Sequence, residues 1–195
     1  SGGDVETEAR AWAAAGSDAR MNGCEMPVVI CSGSGNQGIT ASVPVWRYGV
    51  QTGRDRETIL RAVCLSDLIT IHQKTSIGRL SAFCGATSAG VGAACGIAWL
   101  EGGRYCEIAH TIVNSLAILS GMVCDGAKPS CAAKIATAVT NGILGYQMFC
   151  NGLEFFDGDG IVTKGVENTI TNIGRLANRG MRQTDQEILN IMTGR

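Results

Sequence analysis

The chain has 195 residues and a formal net charge of −1, with 16 Lys and Arg against 17 Asp and Glu. That length fits one domain with a sizeable core, and the near-neutral balance excludes an electrostatic grip on nucleic acid or an anionic membrane. Only 17% of the residues are charged and 45% are apolar, so part of the surface is expected to be covered by another subunit or a further domain.

Taken in chain order, residues 4–15 predict a helix that ends at Gly16. The acidic, Ala-rich opening does not read as a secretory leader, and none is expected. Residues 1–20 read as a linker or an expression leftover ahead of the domain. Next comes VVICSGSGNQGIT, with Gly33, Gly35 and Gly38 after an apolar run. Pro44 argues against a long helix from residue 39 onward. Residues 55–72 form an amphipathic helix, with Ile59, Leu60, Val63, Cys64, Leu68 and Ile71 at the 3.6-residue period of its apolar face.

From 77 to 150 the pattern is Ala/Gly/Ser-rich helix, broken at Gly102-Gly103 and around CDGAKPSC. Gly90, Gly92 and Gly96 inside this tract each cost about 1 kcal/mol of helix propensity, which close helix–helix approach offsets. The stretch 80–100 nears spanning length, but its Leu, Ile, Phe and Val content is too low for a membrane helix. FDGDGIV (156–162) lacks the later calcium ligands and reads as a solvent turn. Thr184 and Glu187 form a capping box opening the last helix. The expectation is a single mostly α domain over 1–195, a compact Ala/Gly-rich helical bundle with a glycine-rich loop near its N-terminus.

The Gly33-x-Gly35-x-x-Gly38 pattern matches the dinucleotide fingerprint, but no run of βαβ units follows and no phosphate-capping helix is evident, so no NAD is expected. Two readings of the loop stay open. It reverses the chain, or its backbone N–H groups and Ser32, Ser34, Asn36 and Gln37 cradle a small anion.

None of the nine cysteines forms a C-x-x-C pair. An odd, dispersed set points to a reducing, cytoplasmic setting, with Cys64, Cys95, Cys106 and Cys150 as core residues and Cys24 and Cys31 flanking the glycine loop. Cys124 and Cys131 stand at helix boundaries either side of a short turn, and Cys84 lies 40 residues upstream of Cys124. Three thiolates without a fourth ligand would leave a metal an open position. His72 and His110 form no triad, and Lys128, next to Pro129, is a weak candidate for a cofactor lysine.

NGCEMPVVICSGSGNQGI, IHQKTSIGRLSAFCGA, SGMVCDGAKPSCAAKI and GMRQTDQEILNIM together resemble the L-cysteine desulfidases, a family related to the α portion of the iron–sulfur L-serine dehydratases. The match runs from about Asn22 to the C-terminus and corresponds to the back half of a longer protein. It implies a [4Fe–4S] lyase without pyridoxal phosphate that takes L-cysteine, or L-serine, to pyruvate and ammonia. By that resemblance Cys84, Cys124 and Cys131 are the metal ligands, although the dehydratases space their last two cysteines more widely. Ser32, Gly33, Ser34, Gly35, Asn36, Gln37 and Gly38 would hold the substrate carboxylate. Lys128 and His110 are the candidates for the α-proton base. A missing N-terminal domain or subunit and a homo-oligomer are the implied partners. The rival readings are an α domain specific for serine, a pyridoxal-phosphate desulfhydrase and a non-catalytic zinc- or cluster-stabilised module.

Overall fold

The computed structural model describes residues 4–195, and the Ser-Gly-Gly opening lies outside the described residues. Eight helices follow in order: α1 (Val5–Met21), α2 (Gly35–Gln51), α3 (Arg56–Ile77), α4 (Gly85–Leu100), α5 (Tyr105–Ile118), α6 (Cys131–Cys150), α7 (Val166–Arg175) and α8 (Arg182–Thr193), with a π turn at Leu176–Gly180. No strand occurs among the described residues, and the mostly α expectation holds. No described helix is long and apolar enough to cross a membrane.

The bundle is built around α4, which packs on α2, α3, α5 and α6. All its residues except Gly85 and Trp99 are buried. Its small side chains explain how four helices reach it. A Cβ on Gly90 would stand 2.5 Å from the Ala138 carbonyl of α6, and one on Gly92 would stand 2.5 Å from the Ser66 carbonyl oxygen of α3. On Gly96, a Cβ would come 2.8 Å from Val45 of α2 and 2.9 Å from the Ala62 carbonyl oxygen. The propensity these glycines forfeit is offset by backbone-to-backbone dispersion contacts that no larger residue permits.

That crowding also decides which face of α3 turns inward. Its buried residues include Ile59, Ala62, Ser66, Thr70, Gln73 and Lys74, a mostly small or polar stripe, with Ser66 Oγ donating to the Ala41 carbonyl at 2.7 Å. The expected apolar face is largely outside. Leu60, Leu68 and Ile71 are exposed, as is Cys64, and of that set only Ile59 is buried. Period alone located the helix, but along Gly92 and Gly96 the surface of α4 comes so close that only small residues such as Ala62, Ser66 and Thr70 fit against it. Because Leu68 is 64% exposed, Leu68→Ser is expected to change unfolding free energy by no more than about 0.5 kcal/mol in a urea melt.

Several other expectations need correction. Helix α1 is no linker: it runs through Gly16 to Met21, buries Ala9, Ala13 and Ser17, and receives a 2.8 Å hydrogen bond from Gln147 of α6 at Glu6. Helix α2 continues through Pro44, because packing against α1, α3 and α4 compensates the roughly 3 kcal/mol an interior proline costs. The Thr184–Glu187 capping box does not form. The π turn carries the chain into α8 at Arg182, leaving both residues inside the helix. Cys106 and Cys150 are exposed, while Cys95 is a core residue as expected. Residues 156–162 do form a solvent turn, in which Asp159 accepts the Phe156 N–H at 2.7 Å.

Candidate functional site

Two helix starts and one loop meet at the end of the bundle where α4 begins. Cys84 is the N-cap of α4. The segment before it pairs antiparallel with the loop between α5 and α6 at Phe83 and Val123. The Cys84 N–H donates to the Met122 carbonyl at 3.0 Å, and the Cys124 N–H to the Ala82 carbonyl at 2.7 Å. This clasp sets the two cysteines side by side, 40 residues apart in sequence, with the Cys84 thiol donating to the Cys124 sulfur. The contact makes the pair unequal. Cys84 is pushed up by that hydrogen bond and then by burial. Cys124 is pulled down, first by the bond from Cys84 and further by the Gly126 N–H and the Lys134 ammonium. Such a thiol is the more ready metal ligand of the two.

Lys134, one turn into α6, ties this loop to the helix. Its Nζ donates to the Val123 carbonyl at 2.9 Å and to the Asp125 carboxylate, which it holds below the usual carboxylate range. Lys128 reaches the other oxygen of Asp125 at 3.3 Å. Cys131 opens α6, and its sulfur faces its own loop, 3.6 Å from the Gly126 carbonyl oxygen and 3.5 Å from the Lys128 backbone nitrogen. Among the described residues no three His, Cys, Asp or Glu side chains converge as a metal-binding group.

The glycine loop lies on the other side of the cysteine pair. Ser32 and Gly33 take left-handed backbone angles, φ 49° and 93°, which turn the chain into Ser34, the N-cap of α2. Gly35 leaves room for the Arg20 guanidinium, which donates to Asn36 Oδ1 at 3.0 Å. Gly38 packs against the backbone of Val29, where a Cβ would stand 2.0 Å from the carbonyl oxygen. The three glycines therefore serve a tight turn and two close approaches. Gln37, 6% exposed, projects to Gly85, and its Oε1 has no hydrogen-bond partner. The starts of α2 and α4 thus touch, and the loop abuts the residue that follows Cys84.

Between the loop and the end of α3 is a cleft of about 550 Å³, lined by Ile30, Ser32, Gly33, Ile71, Lys74 and Arg79 among others. Lys74 is 5% exposed, and its ammonium senses the thiols of both Cys124 and Cys84 while burial holds it below the ordinary lysine value. Sequence reading missed it. The signal was present: Lys74 falls on the small-residue stripe of α3, where a charge has no reason to be unless it serves a site.

The structure thus brings together Cys84, Cys124, the glycine loop and Lys74. It places His110 in a different cleft, stacked on Phe149 with ring centroids 4.4 Å apart and with Nδ1 2.6 Å from Glu154. Cys31, beside the glycine loop, is buried and faces Asp67, and burial pushes its thiol up to about 11. That suits packing.

The UPF0597 protein of Desulfitobacterium hafniense (strain Y51) is 63% identical over 191 residues, covering 98% of this chain and 44% of its own length. The UPF0597 protein of Lachnoclostridium phytofermentans is 54% identical over 191 residues, with 98% and 46% covered. That of Treponema denticola is 47% identical over 188 residues, with 96% and 44% covered. The chain spans less than half the length of these curated relatives. No solved structure matches it. The family described as serine dehydratase alpha chain matches residues 2–190, and the protein belongs to that family.

Proposed function

We propose that this chain is the cluster-bearing domain of an amino-acid lyase that eliminates hydrogen sulfide from L-cysteine, or water from L-serine, to give pyruvate and ammonia. The observation that carries the reading is the Cys84–Cys124 pair placed against the glycine loop and Lys74, with cations gathered round thiols that are free of disulfides. In the reaction the α-proton and the β-substituent leave. The aminoacrylate so formed tautomerises and is hydrolysed.

The donor chemistry fits a [4Fe–4S] cluster. Cys84 and Cys124 converge, and Cys124 is biased toward the thiolate by the bond from Cys84 and by Lys134. Cys131 is the third ligand in this reading and must turn away from Gly126 to serve. Bound there, the cluster supplies a Lewis-acidic iron to the departing thiolate or hydroxide. This chain's own residues do the rest: Ser32–Gly38 hold the carboxylate, and the starts of α2 and α4 face the reacting end. A soft leaving group favours L-cysteine at an iron site. Four exposed cysteines (Cys24, Cys64, Cys106 and Cys150) fit a reducing, cytoplasmic setting. The polypeptide that makes up the remaining length of the relatives, or a second copy, is the partner that covers Leu60, Leu68 and Ile71.

The test is anaerobic reconstitution of the protein, alone and in its full-length form, followed by assay of sulfide, ammonia and pyruvate. Equal pyruvate and sulfide from L-cysteine is the expected outcome. Colourless protein holding stoichiometric zinc and releasing neither product would replace the lyase with a zinc-stabilised module.

A further inference from the structure

The cleft beside the glycine loop contains a lysine that no protein carboxylate answers. Lys74 is 95% buried and lines the cleft with Ser32, Gly33 and Arg79. Among the described residues its ammonium forms no ion pair. An ammonium taken out of water is costly unless an anion joins it. Cys124 already has Lys134 as a cation on its own side of the loop, so Lys74 has charge to offer into the cleft. Arg79 stands exposed at the mouth with its stem along Gly33, 3.7 Å from the position a Cβ there would take, and it too has no ion-pair partner among the described residues. Asp67, the nearest acid on α3 toward the loop, is engaged with Cys31. The apolar remainder of the lining, Ile30 and Ile71, gives a two-cation cleft with a greasy wall. That pattern suits a small carboxylate with a short side chain better than a polyanion.

Resting on the lyase reading above, we propose that Lys74 and Arg79 form the cationic side of the α-carboxylate site whose other wall is Ser32 and Gly33 of the glycine loop, Lys74 as the buried contact and Arg79 as its partner at the mouth. Lys74 lines the cleft, and Cys124 and Cys84 are the thiols its ammonium senses. It thereby fixes the substrate's anionic end next to the thiols. Both are positioning and binding groups; neither is assigned a proton transfer.

Titration calorimetry on the protein without its cluster tests the assignment, with L-serine, pyruvate, L-serinamide and inorganic phosphate as probes. L-serine and pyruvate are expected to bind, and L-serinamide, which lacks the carboxylate, to give no measurable heat. Lys74→Met is expected to weaken L-serine binding about 10- to 100-fold, the loss typical of a charge-assisted hydrogen bond. Arg79→Gln, at an exposed position, is expected to weaken it about 3- to 10-fold. Lys164→Met, in another cleft, leaves it unchanged. Helicity and melting temperature are recorded for Lys74→Met, and if that variant fails to fold, Arg79→Gln decides. The proposal is overturned by L-serine binding that neither variant weakens, by L-serinamide binding as tightly as L-serine, by phosphate outcompeting pyruvate, or by no L-serine binding at all. Carboxylate-dependent binding with no turnover by the reconstituted protein would instead sink the lyase reading and leave this assignment standing.

Discussion

Replacing Cys84 or Cys124 with alanine is expected to reduce iron to background after anaerobic reconstitution and to remove the visible absorption of the cluster. The two thiols act on one another's acidity, positioned by the paired backbone of Phe83 and Val123. Deleting either breaks the convergent pair and leaves one member of it with Cys131, too few to retain a cluster. Cys131→Ala is expected to have the same effect, and it is the informative variant because its sulfur starts from contacts with Gly126 and Lys128. Full iron content in Cys131→Ala would move the third ligand outside this chain. Cys95→Ala is the control. Cys95 is fully buried on α4, and its thiol faces the Ile108 carbonyl at 3.9 Å. Its loss is expected to cost about 1 kcal/mol of stability and no iron.

The second large effect lies in the bundle. Gly90→Val is expected to lower stability by about 3 kcal/mol, the upper end of what overpacking that forces backbone shifts typically costs. The melting temperature should fall by about 6–12 °C for a chain of this length. A Cβ at Gly90 would sit 2.5 Å from both the carbonyl carbon and oxygen of Ala138, and Gly142 makes the reciprocal approach, its Cβ position 2.5 Å from the Gly90 oxygen. Neither obstacle is a side chain that can rotate away. Helix propensity alone predicts that Gly90→Ala stabilises by about 1 kcal/mol. The backbone contact predicts the opposite sign, so the alanine variant, measured by thermal melt, separates the two effects.

What could be read from the chain beforehand divides along physical lines. Helices α1, α3 and α8, the helical tract from 77 to 150 and the meaning of Gly90, Gly92 and Gly96 were legible, because propensity, period and glycine cost are local; α2 and α7 were not. The direction faced by α3 was not. Leu60, Leu68 and Ile71 form a good apolar period, yet the close approach of Gly92 and Gly96 turns the stripe with Ala62, Ser66 and Thr70 inward instead. Pro44 misled for a related reason, since tertiary packing outweighed a local penalty. In the site, Cys84 and Cys124 were nominated by family resemblance, and their spacing could not predict contact across 40 residues. The pairing of Phe83 with Val123 depends on two short segments with no strand signature. Lys74 escaped notice because a lone lysine in an amphipathic helix ordinarily belongs to the solvent face.

The near-complete burial of α4 has a kinetic counterpart. Amide hydrogens along Val91–Ile97, shielded on every side by four other helices, should exchange with deuterium only when the whole bundle opens. The loop carrying Cys124, with Gly121, Val123 and Gly126 at the surface, should exchange through small local fluctuations. One member of the cysteine pair therefore caps the helix whose middle opens last, and the other rides on a surface loop that opens locally. Any ligand held between them is released by the strap lifting away from a fixed post, at a rate set by the loop and not by unfolding.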